Sequence, residues 1–135
     1  MRDRDHGSDW HAQETYKGLI QISISALRFG IFSNGGAAVA LLAFLGKNIS
    51  IVELHAAKGA MAFFISGVAL GGFAHVTAYL TQLRLYGESA LGNPQHGFLR
   101  HNNFLYATVV LGVASIVAFA VGSLWGVATL HPVAP

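Results

Sequence analysis

Gly59–Leu83, GAMAFFISGVALGGFAHVTAYLTQL, runs for 25 residues without a formal charge. A helix needs roughly 20 apolar residues to cross about 30 Å of hydrocarbon, so this stretch reads as a membrane span. Two other segments pass the same test. Phe29–Gly46 is charge-free over 18 residues, and no Asp, Glu, Lys or Arg occurs from His101 to Pro135. Composition agrees: 53% of the chain is hydrophobic and 10% charged, whereas soluble domains carry about a quarter charged residues. The expected fold is all-α, a polytopic membrane protein with three transmembrane helices preceded by an amphipathic N-terminal helix.

Residues 1–28 read as a polar N-terminus and an amphipathic helix that lies at the interface or leads directly into the first span, with Ser8 or Asp9 as its cap. Apolar residues Leu19, Ile20, Ile24 and Leu27 recur there at helical spacing among Glu14, Lys17, Gln21 and Arg28. Residues 29–135 form the membrane domain, with spans at about 29–46, 59–83 and 104–126. Ser33-Asn34-Gly35-Gly36 predicts a kink in the first span, because glycine and asparagine are poor helix formers. Arg84 to Asn103 contains Gly87, Gly92-Asn93-Pro94 and Gly97 and reads as a loop. Tyr106 and Trp125 flank the third span as an aromatic belt would, and His131-Pro132 ends it. Arg2, Arg4, Lys17, Arg28, Arg84 and Arg100 share one side, against Lys47 and Lys58 on the other. That asymmetry predicts a cytoplasmic N-terminus and an exported C-terminus.

Association of helices in lipid leans on small residues, since apolar surface gains nothing by leaving acyl chains. Gly67, Gly71 and His75 form one row on the second helix, continuing to Tyr79. Ala114, Ala118, Gly122 and Gly126 form another on the third. Both rows are candidate packing or oligomer faces. Their plainest use is to pack the three helices of one chain together; a conduit would require several copies around an axis. An imidazole inside a span needs a partner, and Ser33, Asn34, Thr108 and Ser115 are the candidates for His75. Together His75, Asn34 and Ser33 are also candidates for a polar pathway or gate, because imidazole changes charge near neutral pH.

Cysteine is absent, which removes disulfides and thiolate chemistry. Haem ligation asks for histidines at matched depths, but His55 and His101 lie near opposite membrane boundaries and neither matches the depth of His75. His96 and His101 read as solvated loop residues. No metal site, cofactor or catalytic set is expected, and the basic residues are too scattered for nucleic acid.

Asn34–Gly46 (NGGAAVALLAFLG), followed by Ser66–Leu70 (SGVAL) and Tyr79–Gln82 (YLTQ), resembles small bacterial three-span membrane proteins of unknown function. The resemblance implies a bacterial inner-membrane location and no functional residues. The function expected from these features is a small homo-oligomeric pore or channel-like protein, with no enzymatic activity. The alternatives are a scaffold or accessory subunit docked on a membrane-protein partner and, more remotely, a b-type haem electron carrier.

Overall fold

The computed structural model describes residues 3–48, 54–91 and 101–128. They form three helices: α1 (Asp3–Asn48), α2 (Leu54–Leu91) and α3 (His101–Ala128). Each contains a segment long and apolar enough to cross a membrane, at Gln13–Lys47, Leu54–Gly87 and Asn102–Ala128. At 1.5 Å per residue α1 is about 69 Å long, well beyond the hydrocarbon thickness of a bilayer. The closest association is between α2 and α3, and α1 lies against both.

Two sequence expectations, the helix cap and the start of the second loop, need correcting. α1 runs unbroken from Asp3 through residue 28 directly into the first apolar stretch, one of the two arrangements the sequence allows, and on through Ser33-Asn34-Gly35-Gly36. Ser8 and Asp9 therefore lie inside the helix and do not begin it. The Asn34 side chain bonds back to the Gly30 carbonyl of the preceding turn, a local contact that the helix accommodates. α2 extends past Gly87 to Leu91, since an isolated glycine lowers helix stability without ending a helix. The turn signals Gly92-Asn93-Pro94 and Gly97, and His131-Pro132, lie outside the described residues.

The packing is opposite to that of a water-soluble bundle. Among the described residues the buried hydrophobic side chains are Ala56, Ala57, Ala60, Phe64, Ala74 and Ala118. Phe64 alone is large. Bulky apolar residues face outward: Phe32, Leu124 and Val127 are 73%, 70% and 72% exposed. Soluble cores bury such residues, whereas helices meeting in lipid use small ones and leave large ones to the acyl chains.

Close approach depends on particular glycines. A Cβ on Gly122 would lie 2.8 Å from Phe64 Cε1 and 3.0 Å from Phe63 Cβ, so α3 rides on the aromatic pair of α2 only without a side chain there. Gly36 differs, because a Cβ there would meet nothing within 4 Å. Gly36→Ala is accordingly expected to leave stability unchanged or raise it by about 0.5–1 kcal/mol, through the backbone entropy that glycine loses on folding. A thermal shift in detergent checks this; a fall of several degrees would contradict the open surroundings.

Candidate functional site

The three helices meet at Asn34, Ser115 and Gly67. Asn34 projects from α1 and is wholly buried. Its Nδ2 donates to the Gly30 carbonyl at 2.8 Å and to the Ser115 carbonyl at 2.9 Å, and Ser115 Oγ lies 3.5 Å away. From α3, Ser115 Oγ donates to the Gly67 carbonyl of α2 at 2.8 Å. One relay of neutral groups thus ties α1 to α3 and α3 to α2. Interhelical hydrogen bonds of this kind are worth about 0.6 kcal/mol on average, and 1–2 kcal/mol in model peptides.

Glycine makes the junction possible. A Cβ on Gly67 would collide with the Asn34 carboxamide, and one on Gly30 would lie 2.8 Å from Ser115 Oγ. Asn34 Oδ1 is buried without a conventional hydrogen-bond partner. It faces the space that a Gly67 Cβ would fill, where the glycine offers a Cα hydrogen, the weak donor common at helix–helix contacts. Turning the amide over would set Oδ1 against two carbonyl oxygens. Ser115→Ala removes the link to α2 and is expected to cost about 0.5–1.5 kcal/mol, read as a lower unfolding midpoint in a detergent titration. An unchanged midpoint would mean that the Ser115 hydroxyl contributes nothing to cohesion.

His75 behaves differently from the sequence expectation. It is half-buried, and its Nδ1 lies 3.0 Å from the carbonyl of Gly71, one turn back on its own helix. A carbonyl only accepts, so Nδ1 carries the proton in this contact. Among the described residues His75 bonds to none of Ser33, Asn34, Thr108 and Ser115. Asn34 and Ser115 are engaged with each other, and Thr108 Oγ1 lies 2.8 Å from both Thr77 Oγ1 and the Phe104 carbonyl. Local satisfaction wins because the i−4 carbonyl is always within reach of a helical side chain.

The candidate packing rows occupy the interior of the chain. Gly67, Gly71, Ala118 and Gly122 are buried, Ala114, Gly126, His75 and Ser33 half-buried, and Tyr79 exposed. Gly67 and Gly71 face Asn34 and Ile31 of α1, Gly122 faces Phe64, and Gly126 approaches Ala60 of α2. The buried members, Gly67, Gly71, Ala118 and Gly122, are thus packing positions within one chain. Asn34 has no exposed surface, and Ser33 and His75 are half-buried.

A second polar contact went unread in the sequence. Thr77 donates to the Ala74 carbonyl at 3.0 Å and faces Thr108 of α3, while Thr81 donates to the Thr77 carbonyl at 2.9 Å. Small hydroxyl residues four apart in a charge-free helix, as Thr77 and Thr81 are, were the available signal. Among the described residues no group of three or more His, Asp and Glu could hold a metal ion. No family model, curated protein or solved structure matches this chain.

Proposed function

We propose that this chain is a multi-pass membrane protein working as an accessory or scaffold subunit, with the N-terminal half of α1 as the surface it offers to other membrane helices. The observation that carries this reading is the exposure of that half-helix. From Gln13 to Ala26 only Gly18 and Ile20 are half-buried, and Gln21 to Ala26 are exposed on every side. Beyond Leu27 toward the chain's start, α1 is no longer covered by its own bundle, although its apolar segment begins at Gln13. Such a surface, carrying Gln21, Ser23 and Ser25 among Leu19, Ile22 and Ile24, suits interhelical hydrogen bonding and packing.

Support for membrane residence comes from the small-residue core and the outward bulky side chains. The lysine and arginine asymmetry favours a cytoplasmic N-terminus, and the resemblance to small bacterial proteins favours an inner membrane. A homo-oligomeric pore is the second reading. It would set the Gly67, Gly71 and His75 row at a subunit contact or conduit, whereas Gly67 and Gly71 already face Asn34 and Ile31 of the same chain.

Particle mass in nanodiscs tests the proposal. Protein drawn from its native membrane is expected to carry a stoichiometric membrane partner, lost when Ile22 and Ile24 are changed to alanine together; the chain expressed alone is expected to be monomeric. A symmetric ring that conducts ions in liposomes would overturn the reading in favour of a pore.

A further inference from the structure

We infer that the seam between α1 and α2 holds the phosphate of an anionic phospholipid from the cytoplasmic leaflet, with Arg28 as its principal ligand and His75 beside it. The inference rests on the membrane placement proposed above, but not on any protein partner.

Two contacts define the seam. A Cβ on Gly71 would lie 2.6 Å from Ile31 Cγ1, and one on Gly35 would lie 3.9 Å from Val68 Cγ2. The helices run antiparallel, so seven residues back from Gly35 and seven forward from Val68 lie Arg28 and His75, on the same faces. Tyr79, one turn past His75, is on the outer rim. Arg28 and Tyr79 are exposed and His75 half-buried, so the seam is open here.

Gly72 adds room. Four residues after Val68 and three before His75, it belongs to this rim, and a Cβ there would meet nothing within 4 Å. The tie from His75 Nδ1 to the Gly71 carbonyl orients the ring and leaves Nε2 without a partner among the described residues.

Depth and charge select the occupant. Asn34 lies against Ser115 and Leu27 against the position of Gly112. Arg28 therefore stands level with the stretch Val109 to Val113, about 5–10 Å inward from Tyr106 along the helix axis. An arginine stem at that depth carries its head toward the headgroups. Arg28 has no hydrogen bond or ion pair among the described residues, and the charge-free spans of α2 and α3 supply no carboxylate to neutralise it. Glu14 is engaged with Lys17 at 2.8 Å, and lies about 21 Å along α1 from Arg28. An uncompensated guanidinium in hydrocarbon is unfavourable, and the phosphate of an anionic lipid offers it a bidentate, charge-assisted partner within reach. A carboxylate on a foreign helix would also neutralise it. The lipid is favoured because an arginine stem at this depth carries its head toward the headgroups and because the rim at Gly72 is clear of other side chains.

Lipid retention during delipidation tests this, with protein in nanodiscs of mixed phosphatidylglycerol and phosphatidylcholine and bound lipid read by native mass spectrometry. Wild type is expected to keep phosphatidylglycerol with about tenfold preference, and Arg28→Gln to abolish the preference. Gly72→Leu sets a bulky side chain on this open rim and is expected to weaken retention while leaving the helical fold intact by circular dichroism, which keeps the test decisive if Arg28→Gln inserts poorly. Phe73→Leu is the neutral control. Equal retention of the two lipids, an unchanged preference in both variants, or displacement of lipid by a protein carboxylate cross-linked to position 28 would overturn the inference. Extraction of the chain from membranes by alkaline carbonate would instead overturn the membrane placement beneath it.

Discussion

Gly67→Ala is expected to destabilise the bundle by about 2–3 kcal/mol, despite alanine being the better helix former by about 1 kcal/mol. Its Cβ would enter the volume held by the Asn34 carboxamide, and that side chain has nowhere to move, since it is wholly buried and bonded to Gly30 and Ser115. The penalty is specific to the pair. Asn34→Ala alone loses the interhelical bond for about 1–2 kcal/mol, yet in the Gly67→Ala background it also clears the collision. The double variant is therefore expected to be more stable than the sum of the single losses by about 1–2 kcal/mol. Reversible unfolding in mixed detergent micelles, with intrinsic tryptophan emission as the signal, gives all four corners of the cycle. Additive losses would show that residues 34 and 67 do not share one space.

Gly71→Ile should be the most damaging single change on α2, at about 3 kcal/mol or more. Even a methyl at this position would lie 2.6 Å from Ile31 Cγ1 and 3.3 Å from Ser115 Oγ, and isoleucine adds a branched side chain that α1 must be pushed aside to admit. Phe73→Ile, two residues on, provides the comparison. Phe73 is 64% exposed and exchanges one apolar surface for another, so its expected effect is below about 0.5 kcal/mol. Proteolysis of the two variants in detergent separates them: accelerated cleavage near the α1–α2 connection is expected for Gly71→Ile and wild-type rates for Phe73→Ile. Equal resistance would mean that α1 contributes little to the packing of α2.

Much of the architecture was legible in the residues. Three charge-free stretches become three helices of spanning length, because a gap between charges is a one-dimensional property that needs no knowledge of neighbours. Glycine and alanine at four-residue spacing likewise marks a face, since helical periodicity alone places those positions together. The pairing of polar groups was hidden. Ser33, Asn34, Thr108 and Ser115 were equally plausible partners for His75, and choosing among them requires the lateral offset and rotation of each helix. The relation of the N-terminal helix to the first span was hidden for a similar reason. Gly35-Gly36 weakens helical propensity, yet α1 passes through it, and the Asn34 bond that ties this stretch to α3 comes from Ser115, 81 residues away.

Charge spacing and composition determined, without help from the fold, that three long segments suit hydrocarbon and that small residues supply their meeting surfaces. Only the tertiary structure decided that Gly67, Gly71 and Gly122 face other helices of the same chain and that Asn34 and Ser115 form the lock. The physical reason is that hydropathy sums along a chain, whereas hydrogen bonds and close contacts depend on distances between helices that no local pattern encodes.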